Sequence, residues 1–248
     1  MEAKEGVTAA AGWGSEEVRS QLGGLRSLLS GLCGEGGREA DFEAECRNLE
    51  SAAREEEVGL QVKPGHPIEI EVVWGDIGLE GTEEGPGVGA RITAYAQTRE
   101  EAAKLLGAVQ VRVEKEHKKC ILRPSVPSGA EGRVHFVLHV HVPSSCRVTA
   151  ENAVGVLSVE GVSGELSLST KRGRVSLCDC GGEIEATCPN GSVSLEDCRG
   201  EMTGRATNGD VAINDSRGEI AGKTTNGQVT INDSEGEVEA STVNGNVR

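Results

Sequence analysis

From about residue 144 the chain alternates apolar and polar residues in short bursts, and each burst ends at a glycine. Gly155, Gly164, Gly173, Gly182, Gly191, Gly200, Gly209, Gly218, Gly227, Gly236 and Gly245 stand nine residues apart. A period this short, held this long, marks a solenoid, whose repeats are too small to bury a core alone and must stack. Two nonapeptides alternate, so the true unit is eighteen residues. In the first, Glu165, Glu183, Glu201, Glu219 and Glu237 follow the glycine, and Leu166, Ile184, Met202, Ile220 and Val238 come next. In the second, Val175, Val193, Val211, Val229 and Val247 lie two residues past the glycine, followed by Leu177, Leu195, Ile213 and Ile231.

Apolar–polar alternation over four or five residues is the pattern of a half-buried strand. Two strands and two corners per unit predict one rung of a flattened roll, with rungs stacked at roughly 4.8 Å. The first strand carries Leu168, Ala186, Gly204, Gly222 and Ala240 where the second carries Leu or Ile, so small faces large across a thin core. The expected fold is therefore mainly β: a parallel two-sided β-roll of about five regular rungs. Asn190, Asn208, Asn226 and Asn244, each before a glycine, are expected to supply corners with positive φ.

The first part of the chain reads differently. Residues 15–57 have helical periodicity, with Val18, Leu22, Leu25, Leu29 and Leu32 on one stripe and Phe42, Cys46, Leu49 and Ala53 on another. The glycine-rich turn at 34–37 makes this a helical hairpin, assigned to residues 1–60 and expected to cover the open end of the stack. Residues 66–143 hold less regular strands over 67–74, 90–96, 109–116, 120–123 and 133–142. A short helix among them is opened by Thr98 with Glu101 three residues on, a capping box. Residues 144–248 are the regular repeats, and 66–248 reads as one domain.

The order of these features resembles the bacterial putative-adhesin family, a domain of β-strand repeats. The likeness lies in Gly75-Asp76-Ile77 on an opening strand, a helix-and-hairpin insert, a strand ending in Val142-Pro143, and a run of Gly-acidic-Val and Asn-Gly-Asp-Val repeats. It covers roughly residues 66–248 and leaves out the N-terminal hairpin. The resemblance implies an adhesin-like β-solenoid and brings no catalytic residues with it. Members of that family are commonly associated with the cell envelope.

Composition narrows the partners. The formal charge is −15, with no basic cluster to offset it, so nucleic acid and anionic membranes are poor partners. Aromatic residues make up 2% of the chain and none follows Phe136, which removes the usual stacking platforms for sugars and bases. No apolar run reaches membrane-spanning length and no signal-like segment opens the chain, so the expected location is cytoplasmic, with the cell envelope as the alternative. The eight cysteines do not have the spacing of a small secreted disulfide scaffold.

Four groups carry candidate chemistry. Asp179, Asp197, Asp215 and Asp233 recur at one corner, and a stack of carboxylates is a candidate calcium site. An aspartate at a turn also serves the backbone alone. His139 and His141 alternate with buried positions on the 133–142 strand, a His-x-His suited to zinc if His117 or Cys120 supplied a third ligand. Cys180 and Cys198 share a slot one rung apart, continued by Ser216 and Ser234; distance would allow a bridge, but parallel side chains suit it poorly. The glutamates from Glu165 to Glu237 read as a solvated edge that discourages sheet-to-sheet aggregation. Neither a nucleophile elbow nor a phosphate loop is present, and no enzyme is expected. The expected function is a non-enzymatic scaffold that binds a protein partner or associates with itself through the C-terminal rung. The alternative is a calcium-binding β-roll using the Asp corner.

Overall fold

The computed structural model describes residues 46 and 49–248, apart from 61, 63–64, 84 and 117–118. All of these fall in one compact unit, Arg38–Arg248. The regular part is the expected β-solenoid. β7 (Val148–Glu160), β8 (Ser163–Cys178) and β9 (Gly181–Glu196) each run along one sheet, bend through a corner and continue along the other. β10 (Arg199–Asn208) with β11 (Val211–Asn214), and β12 (Arg217–Asn226) with β13 (Val229–Asn232), make two further turns. β14 (Glu235–Asn244) begins another. Pairing is parallel and in register with the eighteen-residue period: Leu166 lies beside Ile184, Ile184 beside Met202, and Val193 beside Val211.

Between the sheets, Val148, Leu166, Ile184, Met202 and Ile220 are all 2% exposed or less. Small does face large: a Cβ on Gly222 would meet Val229 Cγ1 at 2.9 Å, and one on Gly204 would meet Val211 Cγ1 at 3.0 Å. The glycine ruler has a separate cause. At both corners the glycines stack, and a Cβ on Gly218 would be driven into the carbonyl of Gly200, one rung before. Backbones approach this closely only where the residue facing the carbonyl has no side chain.

The corners differ from expectation in one respect. Among the described non-glycine residues only Asp179, Asp197, Asp215 and Asp233 have positive φ, between 47° and 53°. The asparagines do not. They form a side-chain ladder instead: the Asn208 amide donates to Asn190 Oδ1 at 3.0 Å, Asn226 to Asn208 at 2.8 Å, and Asn244 to Asn226 at 2.8 Å. Positive φ at this second corner falls on Gly191, Gly209 and Gly227.

Before the repeats, β2 (Ile68–Thr82) bends like a rung and pairs in parallel with β7. The insert between them comprises β3 (Gly87–Ala96), α1 (Arg99–Ala108), β4 (Gln110–Glu116), β5 (Lys119–Ser125) and β6 (Val134–Pro143). β6 lies between β2 and β3 in one sheet, while β5, with β4 outside it, extends the other. Thr98 caps α1 as expected, with the Glu101 N–H donating to Thr98 Oγ1 at 3.2 Å, one of the two bonds of a capping box.

Residues 50–57, expected at the end of the helical hairpin, are strand. β1 (Glu50–Gly59) pairs antiparallel with β3 over its whole length. Ala52, Arg54, Glu56 and Val58 are half-buried while Ser51, Ala53, Glu55 and Glu57 are exposed, a two-residue period. Helix propensity in Ala and Glu is a weak prior, and ten paired residues along a sheet edge outweigh it. The remainder of the hairpin lies outside the described residues. α1 packs on β1 and β3 and buries Ala102 and Leu106, so helix and strand together cover this end of the sheet.

Candidate functional site

The four corner aspartates are exposed, and their backbone N–H groups bind the next rung: Asp179 donates to the Glu196 carbonyl and Asp197 to the Asn214 carbonyl, both at 3.2 Å. Asp is one of the few side chains that tolerates the left-handed region. The backbone conformation therefore accounts for aspartate at this corner. Among the described residues no group of three or more His, Cys, Asp or Glu side chains is placed to hold a metal ion.

His139 and His141 stand on the outer face of β6, opposite Gly78 and Glu80 of β2. His141 Nδ1 lies 3.5 Å from Glu80 Oε2, and His135 Nε2 lies 3.7 Å from Asp76 Oδ2. His139 sits between two glycines, Gly78 and Gly89, and its Nε2 is buried without a hydrogen-bond partner. Burial lowers its pKa, with His141 and Arg91 lowering it further and Glu80 opposing them. Cys120, considered as a third ligand, is buried on β5 beside Ile68, in the other sheet. His117 lies outside the described residues.

The cysteine slots lie at the corners. Cys180 and Cys198 are buried, as are Cys146 and Cys188, whose thiols burial pushes up to about 11. Cys188 shares its slot with Thr170, Thr224 and Thr242, and donates like them to the glycine carbonyl one corner back. The glutamates Glu165, Glu183, Glu201, Glu219 and Glu237 are all exposed.

The surface that departs from the repeat is β14. It pairs with β12 on one side and, among the described residues, with nothing on the other. Val238 occupies the slot filled by Val148, Leu166, Ile184, Met202 and Ile220, yet it is 45% exposed. Val247, bridged in parallel to Val229, is 48% exposed and Val243 75%. Val229 is fully covered and Ile231 half-covered, because residues 246–248 hydrogen-bond along β13. The sequence places all these slots by period, and β14 lies in the C-terminal rung expected to associate.

Two features escaped the periodic pattern. Arg54 on β1 donates through Nη1 to the Leu106 carbonyl at 2.9 Å and through Nη2 to the Val109 carbonyl at 2.6 Å, capping the C-terminus of α1. Beside it a shallow groove is lined by Glu56, Val58, Gln110 and Arg112. The described residues include no helix long and apolar enough to cross a membrane.

No family model matches the chain, and no curated protein matches it. Solved structures similar in shape include a putative cell adhesion protein from Clostridium sporogenes, at 11% identity and a TM-score of 0.39, covering 79% of this chain and all of that one. A putative adhesin from Bacteroides fragilis is 11% identical with a TM-score of 0.36, over 79% of this chain and 97% of its own. A protein from Parabacteroides distasonis described as a putative lipid binding protein is 10% identical with a TM-score of 0.27, over 80% and 96%. The adhesin name in the first two is the one suggested by the order of motifs. Likeness at this level gives the chain neither an activity nor a ligand.

Proposed function

We propose that the protein is a non-enzymatic, adhesin-like scaffold that associates with copies of itself through β14. The observation that supports this reading is Val238: a side chain in a core slot, 45% exposed where its counterparts in the preceding rungs are 2% or less. An edge with apolar slots and free backbone groups is a template for another strand. Glu235 and Glu239 temper that edge, and each is already paired within the chain, with Arg217 and Lys223.

Light scattering across a wide range of protein concentration tests the reading. The solution mass is expected to climb with concentration, and Val238→Lys is expected to hold it at the monomer while the melting curve of the inner rungs stays in place. A mass that stays monomeric throughout, or association that survives Val238→Lys, overturns it. The calcium alternative rests on the Asp corner, where the backbone conformation already explains the residue.

A further inference from the structure

The glycine ruler that builds the stack also places a reactive dipeptide at one of its corners. Asn190-Gly191, Asn208-Gly209, Asn226-Gly227 and Asn244-Gly245 repeat there, and glycine is required because a Cβ on Gly245 would be driven into the Gly227 carbonyl. An asparagine followed by glycine can cyclise, since the glycine nitrogen reaches the side-chain carbonyl carbon with no Cβ in its way. All four asparagines are exposed, so contact with water does not separate them. Hydrogen bonding does. Asn190 donates to the Lys171 carbonyl at 3.3 Å and accepts from Asn208, which accepts from Asn226, which accepts from Asn244. Each of the three inner amides is therefore held at its nitrogen and at its oxygen. The attacking nitrogens are held too: the Gly209 N–H donates to the Asn226 carbonyl at 3.0 Å, and the Gly227 N–H to the Asn244 carbonyl at 3.1 Å. At Asn244 both restraints end. Its amide donates to Asn226, but its Oδ1 and the Gly245 N–H have no hydrogen-bond partner among the described residues, where β14 has no strand on its outer side.

We propose that Asn244 is a site of spontaneous deamidation, selected by the fold from four Asn-Gly pairs. The Gly245 nitrogen, having given its proton to hydroxide, attacks Asn244 Cγ. A C–N bond forms, the Cγ–Nδ2 bond breaks, and ammonia leaves with a proton taken from water. Water then opens the cyclic succinimide at one of its two carbonyls. Breaking the bond from Cγ to the ring nitrogen gives aspartate; breaking the main-chain bond gives isoaspartate, whose backbone runs through the side chain. Water is the only co-reactant. The change falls on the outermost rung. A carboxylate replaces the amide that donates to Asn226, and the isoaspartyl link adds a methylene to the main chain just before Asn246 and Arg248, whose carbonyls accept from β13.

Ageing the whole chain in mildly alkaline buffer, then digesting with trypsin and a glutamate-specific protease, tests this. The protein is kept dilute, so that self-association does not enter. Cleavage after acidic and basic residues puts Asn190, Asn208, Asn226 and Asn244 in separate peptides, 186–196, 206–217, 224–235 and 240–248. The 240–248 peptide is expected to be the first to gain the mass difference between NH and O, with fragment ions placing it at residue 244 and chromatography resolving the aspartyl and isoaspartyl forms. Asn244 is expected to convert roughly tenfold faster or more than Asn208 and Asn226, where two further hydrogen bonds must break first. In guanidinium chloride, which removes the ladder, all four are expected to convert at comparable rates. The proposal is overturned if Asn244 keeps its amide in the folded protein, if the inner asparagines keep pace with it, or if its lead survives in the denaturant.

Discussion

The Thr224 hydroxyl donates to the Gly209 carbonyl at 2.8 Å, reaching across the corner from one rung to the turn before it. Thr242 makes the same bond to Gly227 at 3.0 Å, and Asn152 makes its equivalent to Gly75 at 2.6 Å. The slot is a series of donors facing stacked glycines. In the rung that holds Ala206 the donor is missing, and the corresponding acceptor is Gly191. Ala206→Thr supplies it, in a strand where a β-branched residue packs well. The variant is expected to be more stable by about 0.5–1.5 kcal/mol, read from urea unfolding. A loss of stability would mean that the corner lacks room for the two added atoms.

The corner aspartates are held by backbone shape. Asp215 has φ of 51° and an exposed side chain. Asparagine tolerates that region equally well, so Asp215→Asn is expected to leave stability unchanged. A β-branched residue does not, and Asp215→Val is expected to cost roughly 1–2 kcal/mol. Thermal melting with calcium and then with chelator separates this from the metal reading. Ligand binding to the native state alone must raise the midpoint, and a rise lost in Asp215→Asn would establish the carboxylates as ligands.

The repeats were legible because one residue type answers to one constraint at each slot. Glycine recurs where carbonyls of the previous rung occupy the space of a Cβ, and Leu or Val recurs where the sheets face each other. The assignment failed where the constraint is not periodic. Ala52, Arg54, Glu56 and Val58 become strand because of their partners on β3, thirty or more residues away, and nothing in their own spacing excludes helix. The positive φ at Asp179 rather than at Asn190 was hidden for a related reason. Both residues suit a left-handed corner, and the choice is made by the glycine that follows Asn190 and can take that conformation itself. Candidate chemistry was least legible, since the distance between His139 and any third ligand depends on how β6 is flanked by β2 and β3.

Arg54 ties the sheet edge to the helix. Its two charge-assisted bonds satisfy carbonyls at the C-terminus of α1, where positive charge is also favoured by the helix dipole. Arg54→Met keeps much of the stem and removes both donors. It is expected to cost roughly 1.5–3 kcal/mol, with the largest loss of amide protection in α1 and β1. Lysine cannot span two carbonyls with a planar fork, so Arg54→Lys is expected to recover only part of the loss. Hydrogen exchange across α1 checks both variants, and uniform protection in Arg54→Met would show that the cap contributes little.

His139 gives the fold a sensitivity to acid. Burial, the neighbouring His141 and Arg91 disfavour its charged form, against the attraction of Glu80, and its folded pKa lies below the ordinary 6.5. Between the folded pKa and 6.5 the unfolded chain binds more protons, so stability rises with pH across that window. It is fully present above 6.5 and is lost as pH falls toward the folded value, at a slope of up to about 1.4 kcal/mol per pH unit. Replacing the ring by His139→Leu removes the titration and also the buried Nε2 that lacks a partner. The variant is expected to match or exceed the parent at neutral pH and to lose less of its urea midpoint on going from about pH 7.5 to pH 5. An unchanged pH profile in His139→Leu would show that His139 does not set the acid sensitivity.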